Sequence, residues 1–160
     1  MSKILLKVSS ELDFESYKGE FDGVYFSSPK TYISSHNKCE TFIDLCGLSP
    51  SEGLEVANLA PENSTFVVDD VMKAIFIKSV NPTAKISYCL DGYSENLIPI
   101  IKANGFDVTI KYTALAPERI QKFHDFGAKV NGETLSRLDE VGVLKFWKVD
   151  YITIIPQIKP

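Results

Sequence analysis

The chain has 160 residues, of which 44% are hydrophobic and 24% charged, with 9 glycines, 8 prolines and a formal net charge of −4. That length and apolar content suit one folded unit burying roughly two-thirds of its unfolded surface, and they exclude disordered, collagen-like and disulfide-stapled classes. The charge is uneven: residues 1–70 carry five lysines against twelve acids, and residues 71–160 carry twelve bases against nine acids. With only two arginines, Arg119 and Arg137, the chain lacks the dense basic footprint of a duplex-DNA binder.

No apolar run is long enough to span a bilayer, and the opening KILLKV is too short for a signal peptide. Three cysteines in such a chain suggest a reducing, cytoplasmic setting with free thiols.

In chain order, residues 3–9 (KILLKVS) read as a strand, and residues 23–28 (GVYFSS) as a second. Ser28 and Pro29 then suit the cap and first position of a helix running to Cys46, with Gly47 as its stop. Residues 54–59 (LEVANL) read as a short strand. The middle is clearest: a strand over 64–70, a helix over 71–80 ended by Asn81-Pro82, and a strand over 85–90. A helix over 94–104 follows, stopped by Gly105, then a strand over 107–115. Short connections between these elements imply right-handed crossovers and a parallel sheet.

The tail reads as short helices over 117–126 and 134–141, then a long strand over 143–155 with Trp147, Val149 and Tyr151 on one face. The fold class expected is a single α/β domain over 1–160: a mostly parallel, Rossmann-like three-layer sheet with a C-terminal helical pair and a long final strand.

Open parallel sheets bind ligands at the carboxyl ends of their strands, beside helix N-termini. Three such ends carry hydroxyls or carboxylates: Ser27-Ser28, Asp69-Asp70, and Asp91 with Ser94. They suit a small nucleotide-like anion, and each residue type is equally what a helix cap requires. Neither the dinucleotide glycine fingerprint nor the phosphate-loop pattern is present, so no cofactor is called for.

On the helix read over 28–46, His36, Cys39 and Cys46 would share a face, but with Cys89 as the one further ligand they match no familiar zinc spacing, and no metal is assigned. His36 stands near the anion-binding edge as a candidate for protonating a leaving oxygen; His124, between Phe123 and Phe126, reads as packing. The run Lys145, Phe146, Trp147, Lys148 and Tyr151 suits either stacking on a single-stranded nucleic acid or docking of a protein partner.

The segments SHNKCETFIDLCG (35–47), LEVANL and PENSTFVV (61–68) resemble the small viral ring nucleases, and GETLSRLDEVGVLKFWKV (132–149) resembles that family's closing helix and strand. The resemblance implies an α/β homodimer that cleaves cyclic oligoadenylate signals to disarm type III CRISPR defence without a metal. It places that family's histidine at His36. The function expected is therefore binding, with sequestration or cleavage, of a cyclic oligonucleotide; the alternative is a non-enzymatic protein docking through Trp147 and Tyr151.

Overall fold

The structure, a computed structural model, describes residues 1–8, 21–27 and 40–155. Its strands are β1 (Lys3–Val8), β2 (Gly23–Phe26), β3 (Glu40–Asp44), β4 (Thr65–Val68), β5 (Lys85–Leu90), β6 (Asp107–Lys111), β7 (Val130–Leu135) and β8 (Tyr151–Ile154). Each pairs in parallel with the next, and β8 pairs in parallel with β1 through Lys3↔Tyr151 to Leu6↔Ile154. The sheet is therefore a closed eight-stranded barrel. Five helices lie between the later strands: α1 (Pro50–Leu59), α2 (Val71–Val80), α3 (Ile98–Asn104), α4 (Pro117–Asp125) and α5 (Leu138–Phe146).

Period-two alternation builds two cores. Leu5, Tyr25, Phe42, Val67 and Tyr151 point into the barrel, where Phe42 meets Tyr151 edge-on at 4.8 Å. Their neighbours Leu6, Val24, Phe26, Ile43, Phe66 and Val68 face outward, in the core shared with Val56, Ala74, Ile77, Ile101 and Phe123 of the helices. A strand covered on both faces must be apolar on both, which is why these strands lack simple alternation of apolar and polar residues.

The interior over β5–β8 is instead polar. Ser87 and Thr109 hydroxyls lie 2.7 Å apart, Asn131 Nδ2 donates to Thr109 Oγ1 at 3.4 Å, and Thr153 Oγ1 donates to Asn131 Oδ1 at 2.8 Å. All four residues are buried, so this chain of bonds supplies the partners that burial would otherwise deny them. Across the barrel, Gly23 lies beside the Glu40 carbonyl and the Leu5 side chain. A Cβ there would sit 2.9 Å from Leu5 Cδ2 and closer still to the Glu40 oxygen.

The closed barrel overturns the expectation of an open, Rossmann-like three-layer sheet. Four local misreadings produced it, one of them the helix expected over 134–141, whose first two residues end strand β7 and whose remainder reaches only the first turn of α5. Part of the helix expected over 28–46 is strand β3, whose ETFID carries alternating in-and-out residues. The strand expected over 54–59 is the end of α1, whose Ser49 and Glu52 form a reciprocal capping box with Pro50 in the first turn. The long strand expected over 143–155 divides into the end of α5, a turn with Lys148 at φ +63°, and β8.

That division also separates Trp147, at the C-cap of α5, from Tyr151, which is 8% exposed inside the barrel. The two do not share a docking face, and Lys145, Phe146 and Tyr151 do not form one stacking strip. Cys46 follows a strand rather than ending a helix, and His36 and Cys39 lie outside the described residues.

The strands expected at 64–70 and 85–90 and the helices expected at 71–80, 94–104 and 117–126 are present with small differences in their ends, 71–80 and 85–90 residue for residue; those expected at 3–9 and 23–28 are strand up to Val8 and Phe26, with Ser9 and Ser28 outside the described residues, and the strand expected over 107–115 stops at Lys111, where the 3-10 turn Tyr112–Ala114 begins. No helix among the described residues is long and apolar enough to cross a membrane.

Candidate active site at the C-terminal end of the barrel

Strand parity sends alternate residues inward, so the last inward side chain of each strand lands at the barrel's C-terminal end. In (β/α)8 barrels that end carries the chemistry, because the βα connections there supply variable side chains over a rigid floor. Here it gathers Lys7 of β1, Tyr25 of β2, Asp44 of β3, Lys111 of β6 and Glu133 of β7.

Tyr25 donates its hydroxyl proton to Asp44 Oδ2 at 2.9 Å, and Asp44 Oδ1 accepts the Cys46 backbone N–H at 2.8 Å. Burial, then the nearby charges of Asp44 and Glu133, push the Tyr25 hydroxyl well above the usual tyrosine range. Tyr25 therefore keeps its proton and acts as a donor. Lys7 Nζ stands 5.5 Å from the centre of the Tyr25 ring, which places a cation on the ring face.

Glu133 is 8% exposed, and burial raises its carboxyl above the ordinary range. Lys7 and Lys111 pull the other way, Asp44 adds to the rise, and a hydrogen bond with Tyr25 lowers it. Desolvation wins. Its placement follows strand parity, two residues after the inward Asn131 and opposite Lys111 of β6; beside it the pairing of β7 with β8 shifts register between Gly132 and Leu135, and Thr134 takes φ +70°. Such a bulge adds one residue to a strand and re-aims the side chains beside it.

Cys46 and Cys89 pack against the interior cluster beside this group. The Cys46 thiol is pushed up by its hydrogen bond with Cys89, then by burial and by Asp44, all of which favour the protonated form. Among the described residues no group of three metal-ligating side chains assembles.

The strand ends singled out in the sequence do lie on this end, but most of their groups have structural partners. Ser27 Oγ donates to the Val8 carbonyl at 3.2 Å. Asp70 caps α2, accepting the Met72 N–H at 2.8 Å. Asp69 pairs at 2.7 Å with Lys73, a buried lysine that also donates to the Leu45 carbonyl at 3.1 Å. Ser94 sits at the N-cap position before the 3-10 turn Glu95–Leu97 and makes no side-chain cap bond, and Asp91 is exposed on the rim. Ser28 and His36 lie outside the described residues. His124 pairs with Asp150 at 2.7 Å at the opposite end of the barrel.

Three of the residues that the sequence reading missed share one signal, a charged side chain at inward parity near the end of a mostly apolar strand: Lys7 in KILLKV, Asp44 in ETFID, Lys111 in DVTIK.

No protein-family model matches the chain, and no curated protein matches it. Solved structures do. A phosphodiesterase from Oleispira antarctica in complex with its product sn-glycerol-3-phosphate superposes with a TM-score of 0.62 at 12% identity, over 72% of this chain and 51% of that one. A protein assigned as a glycerophosphoryl diester phosphodiesterase from Agrobacterium tumefaciens gives 0.73 at 9% identity, covering 96% and 93% of the two chains. Phosphoribosyl anthranilate isomerase, in complex with a reduced ribulose 5-phosphate derivative, gives 0.68 at 10% identity, covering 97% and 87%.

At such identities the likeness establishes the fold, a TIM-type (β/α)8 barrel, and not the activity. The chain spans about half the length of three of the phosphodiesterase barrels it resembles, at 54%, 47% and 51%. The closed barrel and these neighbours lend no support to a viral counter-defence role.

Proposed function

We propose that the chain binds a small phosphodiester at the C-terminal end of its barrel and hydrolyses it to a phosphomonoester and an alcohol. One observation carries the reading: two lysines, Lys7 and Lys111, flank a buried carboxyl, Glu133, whose proton affinity is raised. Lysine ammonium groups suit phosphoryl oxygens as point charges. A carboxyl with a raised pKa suits proton donation near neutral pH. The likeness to barrels whose structures hold glycerol-3-phosphate or a ribulose 5-phosphate derivative supports the ligand class.

In the reaction so read, water attacks phosphorus and the P–O bond to the leaving alcohol breaks. Glu133 gives its proton to the departing oxygen, and Asp44, held by Tyr25 and the Cys46 N–H, takes the proton lost by the attacking water. The lysines stabilise charge on the non-bridging oxygens, where it develops in the transition state.

Glycerophosphodiesters and cyclic oligonucleotides share this linkage and differ in the alcohol. The test incubates the protein with glycerophosphocholine and with cyclic di- and tetranucleotides, and follows products by 31P NMR. Turnover of one class, reduced about 10²–10⁴-fold by Glu133→Gln, is the expected result for loss of a general acid. No turnover of either class, or turnover unchanged in Glu133→Gln, overturns the reading.

A further inference from the structure

The mouth of the barrel holds a pair of thiols that the proposed hydrolysis does not use. In the strand register Asp44 of β3, Val67 of β4 and Ser87 of β5 stand level. Cys46 and Cys89 each come two residues after the outer members of that row, and both pack against the interior cluster of Leu5, Tyr25, Phe42, Val67 and Tyr151. The Cys46 thiol stands 4.0 Å from the Val67 carbonyl oxygen on the intervening strand and bonds with the Cys89 thiol. Neither cysteine is in a disulfide, and both are half-buried rather than closed off from solvent.

Two neighbouring thiols can join in a disulfide or share a metal ion. Because β4 separates β3 from β5, the strands that carry this pair stand roughly 9–10 Å apart. A disulfide needs Cα atoms within about 7 Å, so closing one would require a barrel strand to move. An ion between the sulfurs adds two S–metal bonds to the span and asks for no such movement. The donor set then selects the ion. Zinc and iron–sulfur centres take four ligands, and among the described residues no third metal-ligating side chain completes a group with these two. Two thiolates alone suit a soft cation satisfied by two ligands, which is copper(I).

We propose that Cys46 and Cys89 form a two-coordinate site for a soft monovalent cation, copper(I), at the mouth of the barrel. As the ion enters, the two S–H bonds break, both protons pass to water and two S–Cu bonds form. No electron is transferred, so the step needs no oxidant or reductant. Burial and the Asp44 carboxylate favour the protonated thiols, and the two S–Cu bonds outweigh that preference. The site rests on the thiols alone and stands or falls apart from the phosphodiester reading.

The test titrates the reduced protein, under argon, into the coloured copper(I) complex of bicinchoninate and follows the loss of colour. The third cysteine, Cys39, lies outside the described residues, and Cys39→Ser removes it as a rival ligand. The expected result is uptake of one copper per chain by the unaltered protein and by Cys39→Ser, and loss of that uptake in Cys46→Ser and in Cys89→Ser. X-ray absorption on the copper-loaded Cys39→Ser protein, which keeps both thiols of the pair, should find two sulfur neighbours and no nitrogen or oxygen. That measurement needs neither ligand variant to fold. The proposal is overturned by no uptake in the unaltered protein, by uptake retained in Cys46→Ser or Cys89→Ser, by uptake lost in Cys39→Ser, or by a third neighbour on the copper.

Discussion

The two ends of the barrel are built from the same strands and handle charge in opposite ways. At the N-terminal end the charged groups are matched within the protein: Lys3 pairs with Glu40 at 2.5 Å, His124 with Asp150 at 2.7 Å, Asp150 accepts the Val130 N–H at 2.8 Å, and Asp107 accepts the Lys129 N–H at 2.9 Å. At the C-terminal end two lysines, a tyrosine and two carboxyls converge, and burial raises the proton affinity of Glu133 against the pull of both cations. Matched charges hold a structure closed. Incompletely matched ones leave free energy for a ligand, which is the pattern expected of a working site.

That contrast breaks most visibly at Lys7 and Lys111. Replacing both by alanine should weaken binding of sn-glycerol 3-phosphate at least tenfold by calorimetry, whereas Lys3→Ala at the other end should leave it unchanged. Next in size, Gly23→Ala places a methyl against the Glu40 carbonyl and Leu5; it should cost about 1–3 kcal/mol in denaturant unfolding, as overpacking does. If its stability is unchanged, the barrel interior is looser than described.

Glu133 also predicts a pH dependence. Its folded pKa lies above the ordinary carboxylate value, so the native state holds a proton that the unfolded state has lost. Stability should therefore fall as pH rises from about 4 upward through the folded pKa. Asp107, also raised by burial, adds to the same trend, so the comparison that isolates Glu133 is the unaltered protein against Glu133→Gln, whose decline should be shallower. Parallel curves would place Glu133 in water. The smallest effect expected is that of Asp70→Ala, which removes a helix cap and should cost about 1 kcal/mol of stability while leaving phosphate binding intact. A loss of binding there would return Asp70 to the site.

Much of the middle of the barrel was legible, because residues 64–111 alternate in strand and helix with ordinary punctuation. Closure was not, and two strands explain why. β3 hides in KCETFIDLCG, where apolar residues also fit a helical spacing and Ser28-Pro29 suggests a helix start upstream. β7 hides in VNGETL, a string of turn-forming residues. Asn131 fits a strand here only because it faces the polar interior. Gly132 fits because Leu144 and Leu115 lie where its Cβ would be, at 2.9 and 3.1 Å. Those are tertiary reasons, invisible to local propensity. With two strands unread and the last one merged with α5, the sheet had no way to close.

The rule that ligands meet the carboxyl ends of parallel strands carries over to the closed barrel, and it points to the same end of the molecule as the proposed site. It selected loop residues such as Asp70 and Ser27, which proved to be caps and braces. Lys7, Lys111 and Glu133 come from the strands themselves, near their carboxyl ends, and they become visible only once inward parity in a closed barrel is known.

The most direct test of the account is a calorimetric titration of sn-glycerol 3-phosphate into three proteins: unaltered, Lys7→Ala/Lys111→Ala, and Lys3→Ala. The account predicts saturable binding to the first and third with equal affinity, and at least tenfold weaker binding to the second. Equal binding to all three, or binding to none, would contradict it.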